Sequence, residues 1–156
     1  MNSSSSSEQS SNEYSGNSVS APIMGLIIGL LIDIGGSMLL SSMIYSAYSV
    51  YSIINGIPHE TVNNIKSISE YLSKPHFVIS SILGSFLSIL AGFVCSRIAQ
   101  TKTMKLAYIM ATISFIIAFA LSYLTYPVML IIILSAISYV LLITGYAIGQ
   151  RANKPQ

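Results

Sequence analysis

The chain has 156 residues, 53% of them hydrophobic and only 8% charged, with a formal net charge of +2. Soluble domains carry roughly a quarter charged residues, so water cannot be the solvent for most of this surface. The length leaves room for one domain without a separate soluble module, and the few scattered basic residues exclude a nucleic-acid-binding role.

Residues 1–21 form a Ser/Asn-rich tail with Glu8 and Glu13 and no lysine or arginine. Such a segment buries too little to order itself and is expected to be disordered. It also lacks the basic start of a secretory signal, so the apolar run that follows reads as an uncleaved anchor. That run extends from Pro22 to about Ile54, more than one crossing and less than two, which predicts one long span over about 22–51. Gly25, Gly29, Asp33, Ser37 and Ser41 recur in it every four positions, on one slowly drifting helix face.

Beyond Asn55-Gly-Ile-Pro58, the segment His59–Ser73 places Val62, Ile65, Ile68 and Leu72 at helical spacing among polar residues. Pro58 precedes it and Pro75 follows, which predicts a short amphipathic helix over about 59–73, lying on the outer membrane face or capping the bundle. His59, Glu60 and His76 match no zinc spacing and read as loop residues, so no metal site is expected.

Span two is predicted over about 77–96, with its own four-residue series of Ser80, Gly84, Ser88, Gly92 and Ser96. Cys95, the only cysteine, precludes an internal disulfide and reads as a small packing residue. From Met104 to Gly149 the only charge is Lys105. A continuous helix there would measure on the order of 70 Å, so it must turn back. Ser122–Pro127 is the place, with Pro127 suited to a first helical turn. Spans three and four are therefore expected over about 104–124 and 127–149, ahead of a C-terminal tail from residue 152.

Arg97, Lys102, Lys105, Arg151 and Lys154 fall on one side of this topology, against Lys66 and Lys74 on the other. The basic side belongs in the cytoplasm, which predicts a multi-pass membrane protein with both termini cytoplasmic. Tyr48, Tyr51, Tyr123 and Tyr126 all fall on the opposite side, where an amphipathic ring suits the interface.

Asp33 is the one ionisable residue well inside a span, about 15 Å deep. A carboxylate there costs at least a few kcal/mol, so it should face protein, and desolvation should favour its neutral, protonated form. Depth selects its neighbours: Ser85 or Ser88 on span two, Ser114 on span three, Ser138 or Tyr139 on span four, with Ser37 one step along its own face. One reading makes Asp33 a hydrogen-bond donor that ties helices together; the other makes it a proton or cation site. Dry packing around it favours the first, and a polar cavity reaching it favours the second. The small residues predict close approach of spans one and two through Gly25, Gly29, Gly84 and Gly92, bringing Asp33 toward Ser88. Span four has a shorter series in Gly145 and Gly149, and any of these stripes could equally serve a homodimer.

The run Ala91-Gly-Phe-Val-Cys-Ser-Arg97-Ile-Ala99 resembles a pattern at the cytoplasmic end of a span in small bacterial four-span inner-membrane proteins. These carry Gly-Gly-aromatic, small residues, then Arg-x-Ala; here Ala91 stands in place of the first glycine, and Cys95 and Ser96 in place of alanines. Asp33-Ile-Gly-Gly36 is similar to span one of such chains. The resemblance implies the four-span fold and a place in a bacterial inner membrane, and no activity. Within the chain, Gly145–Arg151 echoes Gly92–Arg97 with spacing one residue different. Distant copies of one hairpin would do so, and a shared need for small packing residues before an interfacial arginine explains it equally well.

The expected fold is all-α, a four-helix transmembrane bundle. The expected function is non-enzymatic, through assembly with itself or a membrane partner in the lipid bilayer. The alternative is a small transporter or channel subunit using Asp33. No cofactor and no catalytic residue is expected, because clustered polar groups of the kind enzymes need are missing.

Overall fold

A computed structural model describes residues 17–56, 67–101 and 103–152. The expected tail up to residue 16, most of the expected amphipathic helix (with His59 and Glu60), Lys102 and the C-terminal tail from 153 lie outside the described residues. All regular structure among the described residues is helical, and four helices are long and apolar enough to cross a membrane. The protein is a polytopic all-α membrane protein.

Span one begins earlier than its apolar run and continues to that run's end at Ile54, past the expected bound of about 51. Helix α1 covers Asn17–Leu30, a π-helical turn covers Leu31–Gly36, and α2 continues over Ser37–Ile54. Asn17 to Ser20 therefore extend the helix into the segment expected to be tail. The π turn has a geometric consequence. In 3.6-residue geometry a four-residue step drifts by about 40°, so a stripe leaves its partner within a few steps. A turn with i→i+5 bonding takes up an extra residue and offsets that drift. Asp33 and Ser37 thus stay on the side that Gly25 and Gly29 occupy. Gly56, at φ 63°, ends α2 in the left-handed conformation glycine accepts without a Cβ penalty.

The short α3, Ile68–Ser73, is the described part of the loop between spans one and two. Ser67 caps it by accepting from the Glu70 backbone N–H at 3.2 Å. Helix α4, Pro75–Ala99, is span two, with Pro75 in its first turn as the missing N–H allows. Gln100, in the left-handed conformation, closes it. Helix α5, Lys105–Ser122, and α6, Val128–Ala152, form the second hairpin around the expected turn. There Tyr126 N–H donates to Ser122 O and Ile131 N–H to Pro127 O.

Helix α4 is the centre of the bundle, packed against span one and α6 and touching α3. Its tightest neighbour is not span one, as the stripes predicted, but α6. A Cβ on Gly92 would run into the Leu142 carbonyl oxygen, and one on Gly145 into the Ile89 carbonyl oxygen. A Cβ on Gly149 would lie 2.8 Å from Phe93 O. Spans two and four run in the same direction, and backbone meets backbone along this seam. In lipid, where apolar burial drives little helix association, such close van der Waals contact is what holds helices together. Span one joins the same layer: a Cβ on Gly25 would lie 2.8 Å from Cys95 O, and one on Gly29 2.6 Å from Met110 Cε.

These contacts enclose a dry core at the end of the bundle that carries Arg97, Lys105 and Arg151, the basic end. Ala91, Cys95, Ala107, Met110, Ala111, Leu142 and Tyr146 are buried together there. Toward the α3 end the bundle is looser. Helix α2 packs on α4, while no substantial packing joins it to α5 or α6.

Candidate functional site

The loose half holds a cavity of about 1020 Å³. All seven polar residues selected by depth lie in its lining: Asp33, Ser37, Ser85, Ser88, Ser114, Ser138 and Tyr139. The cavity begins at Asp33 and Leu142, beside the dry core, and reaches Tyr71, His76 and Tyr126 at the α3 end. Lining residues Met38, Ile82 and Leu121 are more than half exposed, so it also opens sideways.

Asp33 is held at the inner end. It is 8% exposed, and each of its oxygens accepts a hydrogen bond. Ser88 Oγ donates to Oδ1 at 2.7 Å and Ser114 Oγ donates to Oδ2 at 2.7 Å. Spans two and three thereby clasp span one through its carboxylate. Ser88 and Ser114 are the hydroxyls that depth selected on spans two and three, and their bonds to Asp33 are the interhelical ties expected of it. No lysine or arginine lines the cavity among the described residues.

Gly84 departs from its expected role. A Cβ there meets nothing nearer than Ser37 Oγ at 3.9 Å, because Gly84 faces the cavity instead of a neighbouring backbone. Each four-residue series therefore changes function along its length. Gly25 and Gly29 pack, whereas Asp33, Ser37 and Ser41 line the cavity; Gly92 and Ser96 pack, whereas Ser80, Gly84 and Ser88 line it.

Several serines spend their protons on their own helices. Ser80 Oγ donates to His76 O, Ser81 Oγ to Phe77 O and Ser85 Oγ to Ser81 O, all near 2.9 Å. A hydroxyl bound back in this way has its proton committed and keeps only acceptor capacity, which at Ser81 meets Tyr71 Oη.

His76 is the residue the sequence reading missed. It is not in the loop but in the first turn of α4, 5% exposed, and neither ring nitrogen has a hydrogen-bond partner among the described residues. Its ring stacks on Tyr48 with centroids 4.3 Å apart, lies 4.3 Å from Phe77 and meets the edge of Tyr45 at 6.1 Å. Its neighbour Pro75 could have signalled a helix start; the aromatic company comes from α2, too far along the chain to be read.

A second aromatic group anchors α3. Tyr71 stacks on Phe77 at 5.3 Å, and Tyr126 meets both rings edge-on. Tyr71 Oη bonds Ser81 Oγ and donates to Phe77 O at 3.2 Å. Burial pushes the Tyr71 phenol up from its ordinary value, with the Ser81 bond acting the other way. Burial, then the neighbouring Tyr71, push Tyr126 up as well.

The basic end is latched. Tyr146, fully buried, shares a 2.6 Å hydrogen bond with Thr101 Oγ1, and Gln150 Nε2 donates to Thr101 O at 3.0 Å. Arg97 donates to Ala152 O at 2.9 Å, joining the ends of spans two and four. Cys95 lies at 0% exposure in the dry core.

Comparisons with protein-family models, curated proteins and solved structures return no match to this chain.

Proposed function

We propose that this protein is a small membrane carrier or channel subunit in which Asp33 is the proton or cation site. The observation that carries the reading is the cavity that connects the α3 end to a midplane carboxylate with no cationic partner in the lining. An ionisable residue at that depth is costly, and in bundles it marks ion or proton pathways. Dry packing around Asp33 would have favoured a purely structural role. The stripes that could have served a homodimer are largely used inside the chain, by the seam between Gly92, Gly145 and Gly149. The assembly reading loses that support.

The same geometry supports an alternating cycle. One end is open to Asp33, and the other is closed by the glycine seam and the Tyr146–Thr101 latch. The lysine and arginine distribution argues that the closed end faces the cytoplasm, in what we propose is a bacterial inner membrane. Nothing in the site requires a cofactor or a catalytic reaction, so the proposed role is non-enzymatic.

Purified protein in liposomes enclosing a pH dye tests the role of Asp33. Proton movement on an imposed cation gradient should be lost in Asp33→Asn that reconstitutes equally well; equal flux in the variant overturns the reading. Impermeant thiol labelling of Ser73→Cys and Lys102→Cys in a Cys95→Ala background tests orientation. Labelling of both from one side would overturn the topology.

A further inference from the structure

The carrier reading leaves the cargo open, and the chemistry of the cavity wall narrows it. The lining has one carboxyl group, Asp33, and no lysine or arginine among the described residues, so a cationic ligand would meet no permanent positive charge there. The serines with resolved bonds point the same way. Ser80, Ser81 and Ser85 donate to their own helix, and Ser88 and Ser114 donate to Asp33. Their protons are committed, so what remains to them is acceptor capacity, shared at Ser81 with Tyr71 Oη. An anion or a carbonyl-rich ligand would find few donors among them. A cation finds acceptors.

Size separates small cations from large ones. About 1020 Å³ is on the order of thirty water volumes and sits at the upper end of pockets for drug-sized molecules, roughly 300–1,000 Å³. A hard metal ion needs about six oxygen ligands converging on one point. No group of His, Cys, Asp or Glu able to hold a metal occurs among the described residues. The rest of the wall is apolar and aromatic: Phe115 beside Ser114 at the Asp33 end, then Leu134, Ile131, Phe77, Tyr45 and Tyr126 toward the α3 end. Aromatic faces attract cations and apolar bodies alike.

His76 adds an independent observation. It lines the cavity at that aromatic end, more than nine-tenths buried, with both ring nitrogens unpartnered. A buried polar group left unpaired calls for an explanation, and a visiting ligand with a polar or cationic group provides one. Twelve residues of α4 separate His76 from Ser88, about 18 Å along the helix. The cavity is thus long, with a carboxylate at one end and an aromatic, imidazole-bearing region at the other.

We propose that the cavity takes an organic cation with an apolar body, a protonated amine or an onium ion. Its charge sits on Asp33, and its body lies along Phe115 and Leu134 toward the aromatic end. This rests on the carrier reading and specifies its substrate.

The probe is tetraphenylphosphonium, measured by equilibrium dialysis against the purified full-length protein in lipid nanodiscs. Saturable binding is expected, weakened at least about tenfold in Asp33→Asn, a shift of about 1.4 kcal/mol. Gly84→Leu should abolish it, because its side chain enters open cavity space and therefore does not depend on disrupting the fold. Met43→Ala, 70% exposed and outside the lining, should bind as the parent does. The neutral analogue triphenylphosphine oxide should not compete.

Equal binding in Asp33→Asn or Gly84→Leu would assign the signal to lipid partition and overturn the proposal. Equal competition by the neutral analogue would overturn the charge requirement. Absence of binding, with Asp33-dependent proton flux intact in liposomes, would overturn the substrate class and leave the carrier reading standing. Absence of both would remove both.

Discussion

The two halves of this bundle are made from the same four-residue series, yet one half is sealed and the other open. Toward the basic end the repeating position is glycine, and the backbones of spans two and four close on each other. Toward the α3 end it is mostly serine, and the helices stand apart around about 1020 Å³. A small residue thus has two opposite uses in a membrane helix. It allows contact where a partner backbone is aimed at it, and it leaves room where none is. Asp33, on its π turn, marks the boundary between them.

The sharpest way to break the comparison is to place the same side chain in both halves. Gly145→Leu drives a side chain into the Ile89 carbonyl and should cost several kcal/mol, at or beyond the usual range of about 1–3 kcal/mol for overpacking. Gly84→Ala should be neutral or up to about 1 kcal/mol stabilising, since its Cβ meets only Ser37 Oγ at 3.9 Å and alanine favours the helix. Thermal unfolding followed by size exclusion in mild detergent compares the two, and equal losses would refute the division.

Next in size is the boundary itself. Ser88→Ala removes one of the two donors to Asp33 and should cost about 1–3 kcal/mol, with Ser88→Thr retaining most of it. The same measurement serves, and an unchanged midpoint in the alanine variant would mean that water replaces the hydroxyl.

A smaller effect is expected at the closed end. Tyr146→Phe loses the bond to Thr101 while keeping the buried ring, about 0.5–1.5 kcal/mol. If this latch holds the end shut, thiol reagents should reach Cys95 faster in the variant; an unchanged rate would place the seal in the glycine seam alone.

The smallest effect concerns pH. The Tyr71 and Tyr126 phenols are raised above 10.0, so the folded α3 anchor favours their protonated forms. Its stability is fully present below about pH 10 and falls as pH rises past that value, because the unfolded phenols ionise first. Protease cleavage near α3 should accelerate above pH 10 in the parent and less so in Tyr71→Phe. The same acceleration in both would locate the titration elsewhere.

Much of this architecture could be read from the chain. The number of spans, the turn at Ser122–Pro127 and the depth of Asp33 follow from local properties, because lipid demands about 20 apolar residues per helical crossing. Depth alone also selected Ser88 and Ser114, since residues at one level on neighbouring spans must be near each other. His76 was misread because its environment consists of Tyr45 and Tyr48, on a different helix. Gly84 was misread because a glycine looks the same whether it faces a backbone or a void.

The sequence by itself determined an all-α membrane bundle with one buried carboxylate, because hydropathy and helical rise are properties of each segment alone. Only the tertiary structure decided that span two meets span four more closely than span one, that the outer half stays open, and that both Ser88 and Ser114 reach Asp33. Those outcomes depend on how the helices are rotated about their axes. Rotation is set by which surfaces fit, and a four-residue repeat is equally compatible with contact and with emptiness.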